Sequence, residues 1–454
     1  MSLIDKLIVK DRAFYKSFFS MTAVIALQNV ITFGVNFADN VMIGRYNELS
    51  LSSVTLVNQI QFLLQMMAIG LANGLVVISA QYWGKRETDP IKRIFSVVLG
   101  IGLVIGIAFT ALGRFLPQKT LALLTNDIGI IAKGTLYFRI VCLSYIFFVI
   151  SNLIVGLLRS METVKVGFYM SFYALFVNIG LNYCLIFGKL GFPEMGIEGA
   201  AIATLIARIV EFIIALSYLF LKDKKLKIKI RECFLFKYHY FKDYIKAGFP
   251  LELSSTSWGA AMFLQTAIIG RLGQSTIAAS SIATTIFQVI SVTTYGSAAA
   301  TSVIIGKAVG DNRYNDAKLY AKTFQLLFLV IGVISSLILF ALKNPIIAMY
   351  EVLDETAAFA KTFISILCIT LLGTSYQMPC LTGIVSGAGS TKFVLFNDLI
   401  FMWGIVLPLA YLSAFVFHWS IPTTFFLLKS DQLTKCAVAA YKVNRSSWIK
   451  KLTR

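Results

Sequence analysis

Charge is scarce in this chain. Of its 454 residues 14% are charged and 57% are apolar, whereas soluble domains carry about 25% charged and about 45–50% apolar residues. A water-facing surface cannot be built from so few charges. A nucleic-acid-binding protein is therefore excluded in spite of the net charge of +19. Histidine is nearly absent, and His239 and His418 stand far apart. The six cysteines (Cys142, Cys184, Cys233, Cys368, Cys380, Cys436) are scattered without a C-x-x-C pair. Most fall in apolar runs, where cysteine behaves as a small hydrophobe. Neither a disulfide framework nor a zinc site is expected, and no cofactor. A short apolar core with a small-residue cleavage site is also missing from the start. Lys6, Lys10, Arg12 and Lys16 lead into a long apolar segment, so the first segment is expected to be a retained span.

Long apolar runs and aromatics are abundant. The 37 phenylalanines and 19 tyrosines suit lipid-facing helices with interfacial rings, and the 31 glycines suit close helix packing. The reading is an all-α polytopic membrane protein. Twelve spans are expected, at about 16–43, 52–80, 94–116, 130–157, 166–188, 197–221, 247–270, 277–306, 321–342, 357–385, 393–417 and 420–441. Lysine and arginine divide unequally between the two sides, 29 on the side of the termini against 8 on the other. The richer side is read as cytoplasmic, with both termini there. The densest basic run is Lys222-Asp223-Lys224-Lys225-Leu226-Lys227-Ile228-Lys229. Its plainer reading is a topogenic linker; its functional reading is a contact with anionic lipid.

The chain repeats at about half its length. Ile43-Gly44-Arg45 recurs as Ile269-Gly270-Arg271, Gly70 as Gly296 and Gly84 as Gly310, all at an offset of 226. Gly156 through Thr163 resembles Gly383 through Thr391 with one insertion. Each half holds six spans, so the copies are related by an axis along the membrane normal. The expected organisation is a six-helix lobe over 1–222, a basic linker over 223–246 and a second lobe over 247–454. Paired bundles of this kind are a transporter architecture, with the site near the bilayer midplane.

Ionisable groups within spans are expensive and mark function. They are Asp39, Arg139, Arg208, Glu211, Glu252, Asp398, Lys429, Asp431 and Lys435. Arg208 and Glu211 are three apart and able to pair; Asp431 and Lys435 are four apart and able to pair. Asp398 and Glu252 fall near cytoplasmic ends. Asp39, in Asn36-Phe37-Ala38-Asp39-Asn40, is the sharpest candidate: no basic residue follows until Arg45, and Asn36 shares its face. Its counterpart in the repeat is the neutral Gln265. A carboxylate out of water takes a proton more readily, and with neutral oxygen donors it holds a small cation. Either role suits coupling to an ion gradient. Asn178 and Asn182 share a face of the fifth span and Thr204 lies on the sixth. Their plainer reading is interhelical hydrogen bonding; their functional reading is as ligands beside Asp39.

These segments together resemble the multidrug and toxic compound extrusion (MATE) family of the MOP flippase superfamily. The resemblance is carried by Ala38-Asp39-Asn40-Val41-Met42-Ile43-Gly44, Ala80-Gln81-Tyr82-Trp83-Gly84, Gly156 through Thr163, Asn178-Ile179-Gly180-Leu181-Asn182-Tyr183, Gly191 through Ala201, Gly248-Phe249-Pro250 and Gly383 through Thr391. It runs over nearly the whole chain. It implies two six-helix lobes forming a V around a central cavity. It also implies an antiporter that exports cationic amphipathic compounds in exchange for Na⁺ or H⁺. Asp39 matches the acidic residue that binds the coupling ion, and Asn178 and Asn182 match its partners on the fifth helix. Thr204 and Tyr137 line the same pocket in this reading, with Asn36, Gln265, Glu252 and Asp431 as further cavity residues.

The chain departs from the family pattern in places. The first-span proline of many relatives is replaced by the stretch Met21-Thr22-Ala23-Val24-Ile25-Ala26. Trp258 and Ser375 stand where some relatives carry a glutamate and an aspartate, so cation binding in the second half rests on Glu252 or Asp431.

The expected protein is a multidrug antiporter of the plasma (inner) membrane, monomeric, whose partners are cationic drugs, a coupling cation and the bilayer. A flippase for a lipid-linked precursor is the alternative. It needs a large, strongly basic cavity, whereas the in-span cations number four (Arg139, Arg208, Lys429, Lys435). A membrane-embedded enzyme needs a clustered acid/base or metal set, which the sequence does not display.

Overall fold

The computed structural model describes residues 8–348 and 353–453; Lys6 and the terminal Arg454 lie outside them. Among the described residues all regular structure is helical. Lipid supplies no hydrogen bonds to a backbone, so each spanning segment must satisfy its own N–H and C=O groups.

The first half runs α1 (Arg12–Tyr46), α2 (Glu48–Gly84), α3 (Thr88–Phe115), the short α4 (Pro117–Ala122), α5 (Ile128–Val141), α6 (Ser144–Ser160), α7 (Lys165–Phe187) and α8 (Gly196–Ser217). A π-helical turn, Tyr218–Lys222, prolongs α8. A 3₁₀ turn, Ile230–Phe234, leads to α9 (Tyr238–Ala247). The second half has α10 (Phe249–Gly270), α11 (Gln274–Ile290), α12 (Val292–Gly310), α13 (Tyr314–Ala348), α14 (Asp354–Met378), α15 (Thr391–Leu399), α16 (Leu407–Tyr411), α17 (Ile421–Leu428) and α18 (Asp431–Arg445).

Each of the twelve expected segments is helical, but not all are single rods. Among the described residues eight helices are long and apolar enough to cross a membrane, and two bent pairs make ten. The remaining two are α10 and the pair α17 and α18, which is interrupted at Lys429–Ser430. The expected span over 130–157 is α5 and α6, bent by 51°. Hydroxyls take up carbonyls near this break: Ser144 Oγ donates to the Val141 carbonyl at 2.6 Å and Thr110 Oγ1 to that of Cys142 at 2.9 Å. The span over 277–306 is α11 and α12, bent by 43°.

The repeat extends further than the glycines indicated. At the offset of 226, α2 coincides with α11 plus α12, so one copy is a continuous helix and the other is broken at Ser291. Likewise α1 coincides with α9 plus α10. The stretch 238–247, expected as part of a linker, is therefore the second copy of the start of α1.

The chain divides into two compact units. One, here the leading unit, comprises Leu27–Ser79 and Glu87–Glu252; the other, the trailing unit, comprises Met1–Ala26, Ala80–Arg86 and Leu253–Arg454. These are not the two sequence halves, because α1 and α2 each contribute residues to both units.

In the leading unit Tyr244 of α9 is buried and donates from its hydroxyl to the Leu71 carbonyl of α2 at 3.1 Å. A Cβ at Gly74 would lie 2.7 Å from the Gly248 carbonyl oxygen, so α2 and the α9–α10 junction approach backbone to backbone. In the trailing unit the last residues form an extended strap. Gln81 of α2 donates from Nε2 to the Lys450 carbonyl at 3.2 Å and accepts at Oε1 from the Leu452 amide at 2.8 Å. The Lys450 amide donates to the Ala388 carbonyl at 2.8 Å, and Ser390 Oγ to that of Trp448 at 2.8 Å. The Gln81→Leu variant is expected to raise the amide hydrogen exchange of Leu452 about tenfold, the equivalent of about 1–1.5 kcal/mol for one lost hydrogen bond. Unchanged exchange there would remove Gln81 as the fastener.

Candidate ion and substrate site

The leading unit encloses a polar cavity. Asp39 of α1, Asn58 and Gln61 of α2, Tyr137 of α5, Asn178 of α7 and Thr204 of α8 are among its lining residues. Helical periodicity makes this convergence possible. Asn178 and Asn182 lie one turn apart on α7, and Thr204, Arg208 and Glu211 follow at four and three on α8, so each set points one way.

The centre of the arrangement is Asp39. Its Oδ1 accepts from Asn182 Nδ2 at 2.5 Å, and the same nitrogen reaches Asn178 Oδ1 at 3.2 Å. Both asparagines are buried. Among the described residues Asn182 Oδ1 and Asn178 Nδ2 have no hydrogen-bond partner. Two such atoms within a turn of one carboxylate are unusual, because buried polar groups are normally satisfied. Of the two, Asn182 Oδ1 is an acceptor able to face a cation or an O–H donor, whereas Asn178 Nδ2 is itself a donor.

Arg208 also lines this cavity, which sequence spacing from Asp39 did not reveal. Its charge is held by another group: Nη1 sits 2.8 Å from Glu211 Oε2, and the guanidinium lies over the Phe148 ring, 4.8 Å from the centroid. Among the described residues Asp39 forms no ion pair of its own. Counting Asp39, Glu211 and Arg208, the lining carries a net charge of −1 in its ionised form. A polar, partly dry cavity with that balance attracts a small cation or a proton more than an anion.

Of the other expected residues, Asn36 and Tyr137 line the same cavity. Thr32, Asn58, Gln61 and Ser171 join them; sequence reasoning had not singled them out. The three-residue spacing of Asn58 and Gln61 within an apolar helix was the available signal. Gln265, Glu252 and Asp431 are not among the lining residues. Glu252 is buried in the first turn of α10, near Tyr244.

The trailing unit has a separate charged core. Lys435 Nζ lies 3.0 Å from Asp398 Oδ1 and 3.4 Å from Asp431 Oδ2. Asp398 also accepts from Ser254 Oγ at 2.5 Å, and Asp431 from Gln432 Nε2 at 2.8 Å. Lys429, at the interruption between α17 and α18, donates to Gln265 Oε1 at 3.2 Å. The predicted Asp431–Lys435 pair is present, but Lys435 serves two carboxylates. Asp398, expected close to water, is only a quarter exposed at its side chain. Ser375 is buried and shares a hydrogen bond with Thr294 at 2.9 Å. The ammonium of Lys435 is thus already paired with Asp431, one of the two carboxylates on which a second cation site would rest.

Removing that ammonium leaves the buried Asp431 and the partly buried Asp398 without their shared partner. The Lys435→Met variant is expected to lose about 3–5 kcal/mol of stability. Adding Asp398→Asn and Asp431→Asn should recover most of it. Thermal unfolding of the purified protein in detergent checks both. A single variant as stable as the parent would show that the cluster does not hold α15 and α18 together.

No group of three or more His, Cys, Asp or Glu side chains is placed to hold a metal among the described residues.

Fold and site define a class: a polytopic helical transporter with an acidic polar cavity inside one of its units. A model of the MatE family matches residues 25–184 and again 252–412, once in each copy of the repeat. The chain belongs to the MatE family. Among curated relatives, the uncharacterized transporter YisQ of Bacillus subtilis is 24% identical over 445 residues, covering 97% of this chain and 96% of that protein. The probable multidrug resistance protein NorM of Photorhabdus laumondii is 27% identical over 399 residues, covering 87% and 86%. A solved structure described as MATE in complex with MaL6 superposes with a TM-score of 0.85 at 19% identity, over 94% of this chain and 96% of that one. A MOP superfamily transporter from Pyrococcus furiosus superposes with a TM-score of 0.85 at 19% identity, over 94% of each chain.

Proposed function

We propose that this protein is a secondary active exporter of cationic, amphipathic compounds that uses Na⁺ or H⁺ as its exchange ion. It works as a monomer in the plasma (inner) membrane with both termini cytoplasmic. Several relatives bear the name multidrug resistance protein, which supports the substrate class. The observation that carries the reading is the Asp39 carboxylate, held by Asn182 in a cavity of net negative charge beside the acceptor oxygen Asn182 Oδ1. The Pyrococcus furiosus transporter is described as having a binding pocket of reverse polarity and a different function. In this chain the balance around Asp39 favours cations.

The mechanism follows from competition. The coupling ion enters the cavity, neutralises Asp39 and satisfies Asn182 Oδ1. A cationic compound that needs the free carboxylate is then bound less well. A ligand moves an equilibrium only by its differential affinity for the two states, so ion and drug must favour different conformations. Thr204 and Tyr137 set the size of the pocket, and Arg208, held by Glu211, limits how strongly Asp39 keeps its ion.

The test is efflux of a fluorescent organic cation from vesicles containing the purified protein, with an imposed Na⁺ gradient compared with an imposed proton gradient. One of the two gradients is expected to accelerate efflux. Equal rates with either gradient and with none would end the antiporter reading.

A further inference from the structure

We propose that residues 222–246 form an interfacial anchor that docks on the anionic phospholipid headgroups of the leaflet they face. The chain leaves one span at the π-helical turn Tyr218–Lys222 and enters the next at Phe249. Both ends of the segment therefore lie at one face of the membrane.

The segment is firmly seated on the leading unit. Leu226 and Ile228 are buried while Lys225, Lys227 and Lys229 between and beside them are exposed, with a turn at Lys227, whose φ is +50°. Asp223 Oδ2 accepts from the amides of Leu226 at 2.9 Å and Lys227 at 3.3 Å. Glu232 lies 3.2 Å from Lys92 Nζ of α3. Asp223 and Glu232 are thus engaged within the fold. The exposed charges of the segment are all basic, Lys227, Lys229, Arg231, Lys237 and Lys242 among them.

Large apolar side chains stand among these cations. Ile230 is 65% exposed, Phe234 71%, Phe236 60% and Tyr238 71%. Lipid-facing residues within spans are expected to be exposed, but these lie outside any span and alternate with lysines. Water is a poor environment for such a patch. A headgroup layer suits it: rings reach the acyl boundary, and lysine and arginine stems extend to phosphate. Phe236 and Tyr238 also pack on Phe241 at 5.7 and 6.3 Å between centroids, which orders the ring cluster. The other copy of the repeat has the same character, since Lys16 and Phe19 of α1, counterparts of Lys242 and Ile245, are exposed as well.

The test places an environment-sensitive fluorophore on Phe236→Cys in the full chain, with the unsubstituted chain labelled identically as background. The labelled protein is reconstituted into vesicles of phosphatidylcholine alone or phosphatidylcholine with phosphatidylglycerol. A blue shift that grows with phosphatidylglycerol and falls with salt is expected. Adding Lys237→Glu or Lys242→Glu should lower the ratio of inserted to free label about fivefold or more for each cation lost. Inorganic phosphate should not reproduce the shift, which separates a headgroup from a free anion. Hydrogen exchange of 229–242 in the unsubstituted chain, slower with phosphatidylglycerol, gives the same answer without a label. A water-exposed label and unchanged exchange in both lipids would overturn the anchor. A shift that follows protein density and not lipid charge would overturn it in favour of a second copy of this chain.

Discussion

The Asp39→Asn variant is expected to reach the membrane folded and to export nothing. Asparagine has nearly the shape of aspartate, and its Oδ1 still accepts from Asn182 Nδ2, the contact seen at 2.5 Å. What disappears is the charge. A hydrogen bond to a charged group is worth about 1.5–3 kcal/mol, against about 1 kcal/mol for a neutral one. On that scale, loss of the carboxylate's charge is expected to weaken ion binding about twofold to thirtyfold. Removing a half-buried charge does not harm the fold, so the thermal midpoint of the purified variant should equal or exceed the parent's. The discriminating measurement is the effect of Na⁺ and of pH on that midpoint. A ligand that binds the folded state raises stability in proportion to the logarithm of its concentration over Kd. The parent is expected to show that rise with its coupling ion, and the variant to lose it. Gradient-driven efflux from Asp39→Asn at the parent's rate would remove this carboxylate from the mechanism.

The second large effect is structural. Substituting Gly310 by alanine is expected to destabilise the protein by about 3 kcal/mol or more, because backbone cannot yield as a side chain does. The last turns of α2 and α12 meet at glycine on both sides. A Cβ at Gly310 would collide with the Gln81 carbonyl oxygen, and one at Gly84 with the Lys307 carbonyl oxygen. Such close approach is the main use of small residues between membrane helices. The control is Gly180→Ala on α7, where nothing lies within 4 Å of the added carbon. That substitution should be neutral, or stabilising by up to about 1 kcal/mol through helix propensity. Thermal unfolding in detergent measures both. A Gly310→Ala protein as stable as the parent would mean that the helices separate freely at this crossing.

These two sites differ in how far the sequence exposed them. Gly84 and Gly310 stood out as a repeat pair at the offset of 226, but not as residues whose backbones meet. Asp39 stood out as a carboxylate in an apolar helix, and Asn178 and Asn182 as amides one turn apart. Spacing offered their meeting with Asp39 as only one of two readings and the family resemblance implied it, since Asp39 and Asn182 lie 143 residues apart. Arg208 was read correctly as the partner of Glu211, yet its place in the Asp39 cavity was not legible. Asp398 was expected near a span end; its partners Ser254 and Lys435, on other helices, were not legible from spacing.

Hydropathy and repetition alone determined that this is a helical membrane protein, where its twelve segments fall and that it is duplicated. Those properties belong to each segment in isolation, because a backbone in lipid must close its own hydrogen bonds whatever its neighbours do. Only the tertiary structure decided where the spans break, that α9 is the second copy of the start of α1, and which charges face one another. Lys435 pairs with both Asp398 and Asp431, while Asp39 keeps an amide in place of a cation. That division rests on interhelical packing, which depends on side chains far apart in the chain and leaves no periodic trace in it.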